Sequence, residues 1–134
     1  MFRKMSQENI GNIKTPKEVY YYALNIGKPV PELESIIAQD PKYSIAYAKD
    51  VIGGRFEEGE DVIAQNAYWS YTYAKYIIQG RFEKGEDTIA RSPYRSFVYA
   101  EDVIKGRWEK GEKALAQSSA WGEKYAEEFG LKKF

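Results

Sequence analysis

Residues 51–76 read VIGGRFEEGEDVIAQNAYWSYTYAKY, and residues 77–102 read IIQGRFEKGEDTIARSPYRSFVYAED. Aligned without gaps, these two stretches are identical at 14 of 26 positions. A third copy, VIKGRWEKGEKALAQSSAWGEKYAEE, begins at residue 103, and an earlier partial copy, ESIIAQDPKYSIAYAKD, begins at residue 34. Self-similarity at a fixed period of this length is typical of repeat proteins, in which each unit is one supersecondary motif.

Each period contains residue types that begin and end helices. Residues that favour the helix N-cap recur once per period, at Asp40, Asn66, Ser92 and Ser118. Pro41 and Pro93 follow two of these caps, at the first helical position, where proline loses no hydrogen bond. Glycine recurs at Gly54, Gly80 and Gly106, and we expect it to supply the left-handed residue that ends each helix.

These signals predict an all-α solenoid of about nine helices, arranged as short antiparallel pairs with a 26-residue repeat. Longer helices, named A here, are expected at 41–53, 67–79, 93–105 and about 119–129, after a first one that runs from Thr15 to Gly27. Shorter B-helices are expected at 31–39, 57–65, 83–91 and 109–117. A β fold is less consistent with the sequence, because no segment keeps a clean two-residue alternation. We expect residues 15–134 to form one helical-repeat domain, preceded by an extension at 1–14 that is flexible or covers the first pair.

The residues that recur inside the helices point to a stacked core. Ser70, Tyr73 and Ala74 lie on one helical stripe that recurs in the next period, and the apolar B-helix positions are Phe56, Ile63, Phe82, Ile89, Trp108 and Leu115. Glycine inside a B-helix costs about 1 kcal/mol relative to alanine, so close backbone packing is expected at Gly59, Gly85 and Gly111. The recurring Arg55, Arg81 and Arg107 either pair with Glu60, Glu86 and Glu112 or line a ligand-binding groove between repeats.

Composition excludes several function classes. The 134 residues contain no cysteine and no histidine, so thiolate chemistry, a Ser-His-Asp triad and His-based zinc sites are impossible. Lys plus Arg and Asp plus Glu both number 20, which gives no basic excess for nucleic acid. The acidic run Glu57, Glu58, Glu60 and Asp61 is interpreted as a solvated first turn rather than a metal site. No apolar run is long enough for a membrane span. We expect a cytoplasmic, non-enzymatic protein without a cofactor or metal.

The repeat pattern YAxxVIxGRFxxGExxIA resembles tandem-repeat proteins of tailed phages, large DNA viruses and some bacteria. It covers roughly residues 20–129 and is carried by Tyr47-Ala48, Gly54-Arg55-Phe56 and Gly59-Glu60, with their counterparts in the next two periods. Glu57, Glu83 and Glu109 stand where such repeats often have proline. The resemblance brings no catalytic residues. It implies a phage or mobile-element setting and an effector acting on a host or defence protein in the host cytoplasm. The predicted arrangement of repeated helix pairs is also similar to that of tetratricopeptide-type helical arrays.

Positions where the periods differ are the candidates for partner recognition. The central A-helix carries Tyr68, Trp69, Thr72 and Tyr76, and Arg95 stands in the next period where Trp69 stands in this one. Tyr76 replaces an acid found in both neighbouring periods. Exposed aromatic and arginine side chains are typical hot spots of protein interfaces, although some of these rings could instead pack between helices.

Three functions remain open at this point. The first is a binding module that recognises a protein partner through these five residues. The second is binding of a small ligand or nucleotide in an inter-repeat groove that uses Arg55, Arg81 and Arg107. The third, nucleic-acid binding, is disfavoured by the interleaved acidic residues.

Overall fold

A computed structural model of the chain describes residues 7–132, and every regular element in that range is helical. The A-helices are α1 (Pro16–Ile26), α3 (Pro41–Tyr47), α5 (Ala67–Tyr73), α7 (Pro93–Tyr99) and α9 (Ser119–Glu128). The B-helices are α2 (Glu34–Ile37), α4 (Glu60–Ile63), α6 (Glu83–Ile89) and α8 (Glu109–Ala116). Short 3₁₀ segments precede α1, α2 and α4, at Gln7–Asn12, Pro31–Leu33 and Glu57–Gly59. The prediction of an all-α fold with about nine helices is therefore confirmed for these residues.

Two compact units make up the described chain. The first ends at Ile63 and contains α1 to α4, and the second begins at Ala64 and contains α5 to α9. Within the second unit, each A-helix packs against the B-helix that follows it, as α5 does on α6 and α7 on α8. Of the predicted 1–14 extension, residues 1–6 lie outside the described residues, whereas Ile13 is buried. No helix within 7–132 is both long and apolar enough to cross a membrane.

The predicted N-caps begin the A-helices as expected. In each case the cap side chain accepts a hydrogen bond from the backbone N–H three residues later, with partners Asp40–Tyr43, Asn66–Trp69, Ser92–Arg95 and Ser118–Trp121. At α1, Thr15 and Glu18 form a reciprocal capping box. These bonds satisfy N–H groups that the first turn of a helix leaves without an intrahelical acceptor.

The ends of the A-helices differ from the prediction. α3, α5 and α7 each widen into a π turn, over Ala48–Ile52, Ala74–Ile78 and Ala100–Ile104. The left-handed residue is then Gly53, Gln79 or Lys105, one position before the predicted Gly54, Gly80 and Gly106, none of which has positive φ. The prediction was wrong by one residue, because a π turn takes its closing N–H to a carbonyl five residues back, as Gly53 N does to Ala48 O at 2.8 Å.

Serine and glycine form close contacts between helices inside the core. A Cβ atom built on Gly85 would lie 2.6 Å from Ser70 Cβ and 2.8 Å from Phe82 Cδ2, well inside van der Waals distance. Gly59 meets Ser44, and Gly111 meets Ser96, in the same way. The expected close packing at the B-helix glycines is therefore confirmed, and it explains why alanine, the better helix former, is absent there.

Candidate binding surface

A buried network joins each B-helix of the second unit to the A-helix that follows. The Tyr99 hydroxyl donates to Glu86 Oε2 at 2.6 Å and accepts from the backbone N–H of Phe82 at 3.0 Å. Arg81 donates from Nε and Nη2 to the two oxygens of Glu86, both at 2.8 Å. Tyr99 is fully buried, and Glu86 is 2% exposed. We call this set the Tyr–Glu–Arg network.

The same network recurs one period later. Tyr125 donates to Glu112 at 2.5 Å and accepts from the Trp108 N–H at 2.8 Å, while Arg107 makes the bidentate pair with Glu112. In the first unit, Tyr47 bonds Glu34 and the Val30 N–H without an arginine. The repeated phenol thus binds a carboxylate, buried at Glu86 and half-buried at Glu34 and Glu112, together with a buried backbone N–H, as a buried tyrosine requires.

Ionisation follows this geometry. Burial disfavours the charged form of Glu86, but the hydrogen bonds from Arg81 and Tyr99 outweigh it and hold the pKa of Glu86 below its usual value. The hydrogen bond from Arg107 likewise lowers the pKa of Glu112. Burial and the bond to Glu112 raise the pKa of Tyr125 to about 12. At neutral pH each network therefore consists of a carboxylate, a guanidinium and a neutral phenol.

The recurring arginines have a structural role in this arrangement. Arg55, Arg81 and Arg107 each direct Nε and Nη2 at a glutamate of the same period, at 2.8–2.9 Å. The predicted Arg–Glu pairing is confirmed. The interpretation of the first acidic turn as wholly solvated is wrong for Glu60, which is 1% exposed and pairs with Arg55.

A second group of aromatic residues lies at the first turns of α5, α7 and α9. The Arg95 guanidinium carbon lies 4.9 Å from the ring centroid of Tyr68 and 4.8 Å from that of Tyr94. Trp69 contacts Tyr68 edge to face at 4.7 Å, and Trp121 lies 4.7 Å from Tyr94. We call these five residues the aromatic surface. Tyr68 is 46% exposed and Tyr94 is 41% exposed, so both rings remain open to solvent.

Helix capping holds this surface in place. Trp69, Arg95 and Trp121 are the third residues of their helices, and the backbone N–H of each is the group that the N-cap side chain binds. The tyrosines precede two of them directly in the chain. The cap fixes the backbone from which these side chains extend, so the rings stand on ordered helical turns rather than on loops.

The structure divides the five residues predicted to bind a partner. Tyr68, Trp69 and Arg95 lie together in the aromatic surface. Thr72 is half-buried, one turn further along α5. Tyr76, 58% exposed, lies two turns from Tyr68, roughly 12 Å along the axis at 1.5 Å per residue, with Lys75 Nζ 5.1 Å from its ring centroid.

The acid that Tyr76 replaces has a visible role in the neighbouring periods. Asp50 accepts a hydrogen bond from the Tyr20 hydroxyl at 2.5 Å, and Asp102 accepts one from Tyr71. In each case the phenol and the acid belong to the same unit. Tyr76 therefore stands at a repeat position where the two flanking periods have an acid that binds a tyrosine.

Sequence reasoning missed two members of the aromatic surface, Tyr94 and Trp121. Tyr94 aligns with Tyr68, so a search for positions where the periods differ passes over it, yet both rings contact Arg95. The sequence did contain a signal for Tyr94: in two successive periods a tyrosine directly precedes the residue whose N–H binds the N-cap side chain.

Acidic side chains do not assemble into a metal site in the described part of the chain. Within residues 7–132 no group of three or more of them is arranged to hold a metal ion. Comparison with protein-family models, curated proteins and solved structures found no match to this chain. The surface itself is therefore the basis for any statement about function.

Proposed function

We propose that this protein is a non-enzymatic helical-repeat binding module that recognises a protein partner through the aromatic surface of its second unit. The observation that carries the proposal is the Arg95 guanidinium, which lies within 5 Å of the ring centroids of Tyr68 and Tyr94, two rings that are each more than 40% exposed. Tyrosine, tryptophan and arginine are the residues most enriched at the energetic centres of protein interfaces. They supply contact area at low conformational cost when they are held rigidly before binding.

The alternative of a small ligand in an arginine-lined groove has less support. Arg55, Arg81 and Arg107 already direct two donors each at a glutamate. A ligand that took over these donors would leave Glu60 and Glu86 buried with fewer hydrogen bonds, which is costly for a charged group. Binding at the aromatic surface would not break these Arg–Glu hydrogen bonds.

The setting of the partner follows from the resemblance of the repeats to those of phages and bacteria. On that basis we propose a host-encoded or defence-related protein in the bacterial cytoplasm as the partner. The aromatic surface is described from its own contacts and does not depend on this choice of partner.

A capture experiment with matched variants tests the proposal. Purified wild type, the double variant Tyr68→Ala/Tyr94→Ala and the control Leu24→Ala would be immobilised at equal density and exposed to bacterial lysate. Leu24 is 40% exposed on α1, in the other unit, so its truncation removes exposed apolar surface outside the aromatic surface. Retained proteins would be quantified by mass spectrometry, after circular dichroism has shown that all three chains fold.

The expected result is a protein retained by wild type and by Leu24→Ala and lost from the double variant. Equal retention by all three chains, or no protein enriched on wild type over a blank surface, would contradict the proposed function.

A further inference from the structure

The charge of the aromatic surface differs from that of the chain as a whole. The three connections that lead from B-helices into α5, α7 and α9 span residues 64–69, 90–95 and 116–121, and they contain Arg91 and Arg95 but no aspartate or glutamate. The full chain, by contrast, has equal numbers of acidic and basic residues. This edge of the second unit therefore carries two arginines without an acidic side chain in the same segments.

Arg95 differs from the other arginines in its partners. Arg81 and Arg107 each hold a carboxylate in a bidentate pair. The Arg95 guanidinium lies over two rings and makes no side-chain hydrogen bond or ion pair within residues 7–132. Its five N–H donors therefore have no acceptor among the described residues. The side chain is thus positioned for a ligand that the protein itself does not supply.

We infer that Arg95 is the receptor for a carboxylate of the partner, and that the segment recognised by the aromatic surface is an acidic peptide containing aromatic or aliphatic residues. This inference rests on the proposed function and names its chemistry. A guanidinium fork matches a carboxylate in a planar, bidentate arrangement. The neighbouring Tyr68 and Tyr94 rings offer apolar contact beside Arg95, and they restrict its side chain before binding, which lowers the entropy lost on forming the pair.

Nucleic acid fits the same surface less well. Arg91 and Arg95 are the cations of these connections. For a single strand, two phosphate contacts give a slope of only about −1.4 when the logarithm of the binding constant is plotted against the logarithm of salt concentration, so binding would be weak. The exposed carboxylates near the other ends of the helices, such as Glu101 and Glu128, would repel the phosphates of a longer strand that reached them, whereas a short acidic peptide can bind at the first turns alone.

The test uses full-length protein and synthetic probes. One probe is a ten-residue peptide of glutamate with two tyrosines, the second is its isostere with glutamine at every glutamate, and the third is a ten-residue oligothymidine. Binding would be followed by NMR through the indole N–H signals of Trp69 and Trp121. The protein variants are Arg95→Gln, Arg95→Lys and a charge-matched control, Lys17→Gln, on the exposed side of α1.

The acidic peptide is expected to bind wild type and Lys17→Gln equally and to bind Arg95→Gln about tenfold more weakly. Arg95→Lys should lie between them, because lysine keeps the charge but loses the planar fork. Equal binding of the glutamine isostere, unchanged binding by Arg95→Gln, preference for oligothymidine, or no binding of the acidic peptide would each overturn the carboxylate assignment. The capture experiment with Tyr68→Ala/Tyr94→Ala is independent of these outcomes, so a partner captured there would leave the proposed function intact.

Discussion

Replacing Tyr99 with phenylalanine removes one oxygen atom and leaves the packing of the ring in place. That oxygen donates to Glu86 at 2.6 Å and accepts from the Phe82 N–H at 3.0 Å, in fully buried surroundings. A hydrogen bond to a charged group contributes about 1.5–3 kcal/mol, and a buried N–H left without an acceptor costs about 1–3 kcal/mol. Because Arg81 still binds Glu86, the lower half of each range applies. We therefore expect Tyr99→Phe to lower the free energy of unfolding by about 3 kcal/mol.

The matched control is Tyr94→Phe. Tyr94 is 41% exposed, and its hydroxyl forms no hydrogen bond within residues 7–132, so the same atom is removed without losing a bond. Urea unfolding followed by circular dichroism would measure both variants, and thermal unfolding should show a drop of about 10 °C for Tyr99→Phe in a chain of this size. If Tyr99→Phe and Tyr94→Phe unfolded within about 0.5 kcal/mol of each other, which is the error of such comparisons, the assignment of stability to the network would be refuted.

Three further predictions concern the core and use the same unfolding assay. Gly85→Ala should destabilise the fold by about 2 kcal/mol, because the new Cβ would lie 2.6 Å from Ser70 Cβ. As a control, Gly106→Ala should change the free energy of unfolding by less than about 0.5 kcal/mol, because a Cβ there meets no atom within 4 Å. Trp108→Phe should change the free energy of unfolding by less than about 1 kcal/mol. The buried indole N–H has no acceptor within residues 7–132, so its removal offsets the loss of buried apolar area. A loss of about 3 kcal/mol would show that this N–H does have a hydrogen-bond acceptor. Glu86 has a folded-state pKa below its unfolded value, so its stabilisation is complete above the unfolded pKa of about 4.3 and is lost as pH falls through the folded value. Glu86→Gln should flatten that acid-side decline.

The fold could be predicted because its signals are local. An N-cap residue such as Asn66 acts on a backbone N–H three residues away, so its spacing translates directly into a helix start. The helix ends were harder, since the choice between an α turn and a π turn depends on how the last residues pack. Gln79 and Lys105 take left-handed φ without being glycine, and no sequence rule placed them there.

The candidate surface could be predicted only in part, for a physical reason. Comparison of periods identifies residues that differ, so it found Tyr76 and Arg95 but passed over Tyr94, which is the same residue type as Tyr68. Contacts between side chains of successive periods require knowledge of helix rotation and separation. The buried phenol networks were missed for a similar reason, although Glu and Tyr recur at a constant separation of 13 residues.

That constant separation has an evolutionary consequence. The polar atoms that meet at the junction of a B-helix with the next A-helix are the same in successive periods: a carboxylate, a phenol and a main-chain N–H. Duplicating or deleting one whole period would recreate a junction whose polar atoms are already satisfied, without compensating substitutions in the interior. Selection in such a lineage is left free to act on the first helical turns, where one repeat position is already occupied by Tyr43, Trp69, Arg95 and Trp121.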